Sequence, residues 1–255
     1  MAAPYTKEGL RIKIAGGLRS RPYIDITLDI MQAFGVKAVN RDYKEFLVKG
    51  SKRYKARHYP IEGDYSSAAY FLAASAVGAK PVTVTNLRTN SVQGDKNLLN
   101  IFAEMGCTVD YDKDAVRVHR TGGLEGVSID LGDYPDLVPP LAVVAAYASG
   151  KTQITNIAHL RFKESDRIND TAAELAKMGI KTEVSDDTMV IYGGKPKGAE
   201  IEAHNDHRLA MSFAVAALFA EGQSIINGAE AVTKSYPKFF ADLVKLGAKI
   251  VEALS

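Results

Sequence analysis

Apolar and polar positions along the chain alternate in two recurring patterns. In the first, apolar residues recur at helical spacing, run into a glycine and continue as β-branched alternation. The segments are IMQAFGVKAV around Gly35, IFAEMGCTVD around Gly106, ELAKMGIKTEV around Gly179 and DLVKLGAKIV around Gly247. Each predicts an amphipathic helix, a left-handed glycine just past its last turn, and a strand. The four glycines lie 71, 73 and 68 residues apart. In the second pattern the helix is apolar almost all round, which predicts burial on most sides. FLAASAVGAKPVTVTN, PLAVVAAYASGKTQITN and SFAVAALFAEGQSIIN stop at Gly78, Gly150 and Gly222 and pass into alternating strands. MAAPYTKEGLRIKI fits the end of the same pattern, with Gly9 in the glycine position.

Together these give a unit of helix, strand, loop, helix, strand, short turn and strand in about 70 residues. The last two strands read as hairpins, with turn residues at Asp112–Asp114 and Ser185–Asp187. The expected class is α/β, built of repeats. Residues 1 to about 60 hold one incomplete unit, and residues 61–255 hold close to three. The basic stretch KGSKRYKARHYP, Lys49–Pro60, interrupts the pattern and ends in proline. It reads as a linker between two domains, or as an exposed loop within one.

Composition adds exclusions. Of the 255 residues, 46% are hydrophobic and 24% charged, enough for a core and unlike a disordered tail. The formal charge of +2, from 32 basic and 30 acidic side chains, gives no footprint for nucleic acid. Cys107 is the single cysteine, so no disulfide framework within the chain is possible, and a reducing, cytoplasmic setting fits. The N-terminus has no secretory pattern, and the longest apolar runs are too short or too interrupted to span a membrane. Met1–Ala3 reads as the tail of a helix, which raises the expectation of truncation.

Polar residues depart from the pattern in two places. The loops Leu18–Asp25, Asn86–Asn97, His159–Asp170 and Ala231–Phe239 occupy equivalent positions in the repeat and each leads into a helix. They should meet on one side, where free N–H groups and the helix dipole favour an anion. The other set begins the alanine-rich helices and carries Asp64, Asp136 and Asp206. Helix capping alone would account for these aspartates. It does not account for Arg208, two residues into an apolar helix, where a cation needs a partner. Lys163, Glu164, Asp166 and Arg167 form a charged cluster that fits either a solvated helix start or, with Arg208 and Lys234 at equivalent places, a phosphate or carboxylate site. No Walker loop, dinucleotide fingerprint or HExxH is present. His204 and His207 lie three apart with no clear third ligand, so no metal and no cofactor is assigned.

RFKESDRINDTAAELAKMG resembles the second signature segment of EPSP synthases, the 3-phosphoshikimate 1-carboxyvinyltransferases of aromatic amino-acid synthesis. SRPYIDITLDIMQAFGV, EGDYSSAAYFLAA, NSVQGD, NDHRLAMSFAV and TKSYPKFF resemble further family segments in the expected order. The likeness spans essentially the whole chain and matches about the C-terminal three-fifths of such an enzyme. It implies repeated βαβαββ-type units around a pseudo-threefold axis. Residues 1–60 would end the phosphoshikimate-side domain and residues 61–255 would make most of the other. The implied reaction transfers the enolpyruvyl group of phosphoenolpyruvate to the 5-hydroxyl of 3-phosphoshikimate and releases phosphate, by addition and then elimination.

Carried over by position, Asp136 would bind and deprotonate the substrate hydroxyl, and Glu164 would handle the methylene proton. Arg167, Arg208 and Lys234 would hold phosphoenolpyruvate, with Lys234 also available for proton transfer. Ser20, Tyr23 and Lys163 would lie by 3-phosphoshikimate, with Tyr23 at its ring. His159 stands where the bacterial pattern has asparagine contacting the substrate phosphate, and can donate a similar bond. The family's N-terminal lysine–serine pair, arginine, GNAGTxxR motif and serine–glutamine segment have no counterpart here. The resemblance therefore implies a fragment that is inactive alone and takes the N-terminal portion as partner. Two other readings stay open: the sibling enolpyruvyl transferase acting on a UDP-sugar, and a non-catalytic binding module on the same scaffold.

Overall fold

The helix-to-glycine-to-strand pattern builds the same corner four times. At the first, Gly35 adopts φ 86°, its N–H donates to the Gln32 carbonyl, and the Val36 N–H reaches back to the Met31 carbonyl, both at 2.9 Å. Gly106, Gly179 and Gly247 repeat the positive φ and the paired back-bonds. A Cβ would oppose that conformation, which is why the position reads as glycine in every unit. The computed structural model describes residues 1–78 and 80–252.

The first part comprises β1 (Gly9–Lys13), α1 (Arg21–Ala33), β2 (Ala38–Arg41) and β3 (Glu45–Lys49), in an antiparallel sheet ordered β1-β3-β2. No helix or strand occupies residues 50–64. The next unit is α2 (Tyr65–Val77), β4 (Val82–Thr85), α3 (Leu98–Glu104), β5 (Thr108–Asp112) and β6 (Ala115–His119), with the sheet ordered β4-β6-β5. The third is β7 (Ser128–Asp130), α4 (Val138–Ala145), β8 (Lys151–Thr155), α5 (Arg167–Lys177), β9 (Thr182–Val184) and β10 (Met189–Tyr192). It shows the whole βαβαββ unit in one sheet, with β7 parallel to β8 and the β9–β10 hairpin beside them. The last is β11 (Glu200–Glu202), α6 (His207–Phe219), β12 (Ile225–Asn227) and α7 (Phe239–Lys245), with β11 parallel to β12. The expected hairpins turn where placed, through Lys113 at φ 47° and by the Ser185 N–H donating to the Thr188 carbonyl.

The apolar helices α2, α4 and α6 pack against one another in all three pairings. Ala69, Ala142 and Ala210 on these helices are fully buried, and small side chains let packed backbones approach. Three equivalent helices packed pairwise, each with its unit's strands outside, make the repeated α/β architecture expected from the periodicity. A second cluster of Ala3, Met31, Val36 and Val48 lies within the first part. None of the described helices is long and apolar enough to cross a membrane.

One expectation needs correction. The KIV segment after Gly247 forms no strand among the described residues, because a strand needs a partner ladder and none is present there. Gly78 ends α2 at φ −77°, unlike the left-handed Gly150 and Gly222.

Candidate active site

The three aspartates that open the apolar helices do different work. Asp64 caps α2, accepting from the N–H groups of Ser66 at 2.9 Å and Ser67 at 3.2 Å. Asp206 caps α6, accepting from the Arg208 N–H at 2.8 Å. Asp136 caps nothing: it lies in a 3-10 turn, Pro135–Leu137, and its two oxygens go to two arginines, one of its own unit and one of the next. Its Oδ1 accepts from Arg167 Nη1 at 3.0 Å, and its Oδ2 accepts from Arg208 Nη2 at 2.8 Å.

Arg167 is the hub. It begins α5, its side chain is 1% exposed, and it donates to three carboxylates. Besides Asp136 these are Asp206, at 2.7 Å from Nε, and Glu164, at 2.7 Å from Nη2. A guanidinium offers five donors in a rigid fork, which suits a point where two repeats meet over three carboxylates. Lys234, from the next repeat's loop, closes the chain by donating to Glu164 at 2.8 Å. Asp136, Glu164, Arg167, Arg208 and Lys234 thus form one continuous network.

Burial opposes ionisation of Glu164, but the bonds from Lys234 and from its own backbone N–H, with the Arg167 charge, hold it down at about 2. For Arg208, burial works against the charge while Tyr70 and Asp136 outweigh it, so the guanidinium stays charged. His207, beside Asp206, is lowered by burial and then by Arg208, and its buried Nδ1 has no hydrogen-bond partner. A cleft of about 510 Å³ opens at Glu164 and Lys234, lined also by Asn205, Glu230, Ala231 and Thr233.

The first part of the chain reaches this network through Tyr23, two residues into α1. Its hydroxyl lies 3.1 Å from Asp136 Oδ2 and 3.1 Å from Asp95 Oδ1. Close by, Arg21 donates from Nε to Asp133 at 2.8 Å. Gly94 is pressed under the same helix: an added Cβ would overlap the Pro22 ring and approach Tyr134 Cε1 to 2.9 Å.

The remaining expected residues stand apart. Ser20 sits at the head of α1 with φ 56° and makes no capping bond. Lys163 is exposed. His159 is half-buried, with Nε2 enclosed and unpartnered, and its pKa is lowered by burial, then by Lys163 and Arg19. Arg19 also lines a cleft of about 200 Å³ with Arg21, Gly132, Asp133 and Asn156. Asp130 lines the same cleft, so its two arginines face two carboxylates. His204 bonds through Nε2 to the buried Glu174 at 2.8 Å.

Asp95 and Asp206 as a buried counterion were not singled out from sequence. Asp95 is 3% exposed. Its signal was an aspartate in NSVQGD just ahead of an apolar helix, which reads equally well as a charged first turn.

Residues 1–243 match the family described as EPSP synthase (3-phosphoshikimate 1-carboxyvinyltransferase). The 3-phosphoshikimate 1-carboxyvinyltransferase of Methanocaldococcus jannaschii is 45% identical over 251 residues, covering 98% of this chain and 58% of that protein. That of Methanocella arvoryzae is 45% identical over 251 residues, covering 98% and 59%. The solved EPSP synthase from Acinetobacter baumannii superposes with a TM-score of 0.82 at 28% identity, over 98% of this chain and 59% of that one. The chain spans less than two thirds of the length of each of these relatives.

Proposed function

The chain belongs to the EPSP synthase family, and from that premise we propose that it supplies the acid–base pair and the anion-holding cations for enolpyruvyl transfer from phosphoenolpyruvate to the 5-hydroxyl of 3-phosphoshikimate. Further substrate contacts come from an N-terminal portion outside these 255 residues. The observation that supports this is the joining of Asp136, Glu164, Arg167, Arg208 and Lys234 in one network drawn from two neighbouring repeats.

In this reading residues 1–60 end one domain, residues 61–255 make most of the other, and the reaction takes place in the cleft that Tyr23 bridges. Asp136, held by two arginines, accepts the proton of the substrate hydroxyl as its oxygen attacks C2 of phosphoenolpyruvate. The carboxylate and phosphate of phosphoenolpyruvate compete with Glu164 for Lys234 and Arg167. A Glu164 released from those cations rises from its low pKa and can carry the proton that the methylene carbon receives. Phosphate then leaves, and the same carboxylate takes a proton back from the methyl group. Ser20, Tyr23, Lys163 and His159 hold 3-phosphoshikimate. The setting is cytoplasmic.

The test is phosphate release from phosphoenolpyruvate and 3-phosphoshikimate. We expect none from the 255 residues alone. Turnover is expected once they are fused behind the N-terminal portion of the Methanocaldococcus jannaschii relative, and should be lost on Asp136→Ala or Glu164→Gln. Turnover by the unfused chain would overturn the need for the N-terminal portion. A fused enzyme that accepts only a UDP-sugar would establish the sibling activity, and one that binds both substrates without turnover would establish a binding module.

A further inference from the structure

The Tyr23 hydroxyl poses a proton-counting problem. It stands 3.1 Å from a carboxylate oxygen of Asp95 and 3.1 Å from one of Asp136, yet a phenol has one proton to donate. Were both aspartates ionised, that one proton would have to be shared between two anions as a weaker bifurcated bond. Each contact has its own hydrogen only when one carboxyl carries a proton and donates it to the phenol oxygen.

The surroundings decide which. Asp136 accepts from two guanidinium groups, at 3.0 Å and 2.8 Å. Asp95 pairs with no cation among the described residues, is 3% exposed, and is placed by a short 3-10 turn, Gly94–Asn97. The groups facing it are Asp136, Tyr23 on α1, Arg208 on α6, Asp64 at the head of α2, and Tyr134. Two of these are carboxylates, one is a cation already bonded to Asp136, and two are phenols. Burial and then the Asp136 charge raise Asp95 to about 6, against an ordinary 3.8.

We infer that Asp95 is a further positioning residue of this site: as a neutral acid it donates to the Tyr23 hydroxyl, which thereby donates its own proton to Asp136. The bond order runs Asp95 to Tyr23 to Asp136, across the junction between α1 and the large core. It fixes the Tyr23 proton toward Asp136 and holds that carboxylate between the phenol and the two arginines. When Asp95 ionises, the Tyr23 proton is shared between two anions and Asp136 loses its exclusive donor. The kinetic consequence rests on the proposed function; the proton's location does not.

Two measurements test this separately. Infrared titration of the 255-residue chain should show a protonated-carboxyl stretch that disappears with a midpoint near 6. That band should be absent in Asp95→Asn and move in frequency in Tyr23→Phe, where its acceptor is gone. No such band, or one indifferent to Tyr23→Phe, overturns the inference whether or not any enzyme is active. In the fused enzyme, kcat/KM should fall on the alkaline side of the same midpoint. Asp95→Asn, whose amide still donates to Tyr23, should keep kcat within about threefold and lose that limb, as expected when a permanent donor replaces a titrating one. Asp95→Leu should lower kcat at least about tenfold, the size expected for a misplaced reacting group. An unchanged pH profile in Asp95→Asn overturns the inference while leaving the enolpyruvyl transfer standing.

Discussion

Arg167 donates its Nε proton to Asp206 across 2.7 Å, with side chains 1% and 0% exposed, so the hub of the network is anchored by a fully buried ion pair. The pair belongs to two neighbouring repeats and fixes the start of α5 against the start of α6. Removing one member leaves the other as an uncompensated buried charge, which costs far more than the pair's net contribution. We expect Asp206→Ala to destabilise the chain by about 3–5 kcal/mol in urea unfolding. Asp206→Leu combined with Arg167→Met should regain most of that loss. A single variant that unfolds at the wild-type midpoint would show that water reaches the pair.

The contrast between Asp64 and Asp136 separates capping from chemistry. Asp64→Ala should lower stability by about 1 kcal/mol, the ordinary value for an N-cap, and leave turnover of the fused enzyme unchanged. Asp136→Asn keeps the shape but removes the base, and should lower kcat by about 10² to 10⁴ with the substrates still bound. Equal kinetic effects of the two changes would mean that Asp136 acts only as structure.

Acid should weaken the network through Glu164. Its folded pKa of about 2 lies below the ordinary 4.5, so its contribution is complete above about 4.5 and is lost as pH falls through about 2. Urea midpoints measured across that range should drop less in Glu164→Gln than in the parent. Lys234→Met, which removes the largest of the favourable interactions, should behave like Glu164→Gln. A slope unchanged in both variants would place the acid-sensitive carboxylate elsewhere.

The parts of this structure that follow local rules were legible in the sequence. Gly35, Gly106 and Gly179 each sit between a helix and a strand, and the conformation such a glycine permits is set by its own backbone. Arg208 was conspicuous because a guanidinium inside an apolar helix requires a partner, although nothing in its neighbourhood names Asp136. What stayed hidden depends on residues distant in sequence. Asp95 looks like an acidic first-turn residue until α1 and Tyr134 cover it. Asp206 was readable as a cap, and its second role needs Arg167 from another repeat. The strand expected after Gly247 has the right alternation, but alternation alone does not supply a ladder partner.

Gly94 has a consequence beyond its small size. Because a Cβ there would overlap Pro22 and touch Tyr134, this glycine sets the clearance between α1 and the loop that carries Asp95. A single methyl group would act as a wedge, prying the Tyr23 end of α1 away from both carboxylates while every charged side chain stayed intact. The site's sensitivity therefore extends to a position with no ionisable atom, where the smallest step in side-chain volume disengages one wall of the cleft from the other.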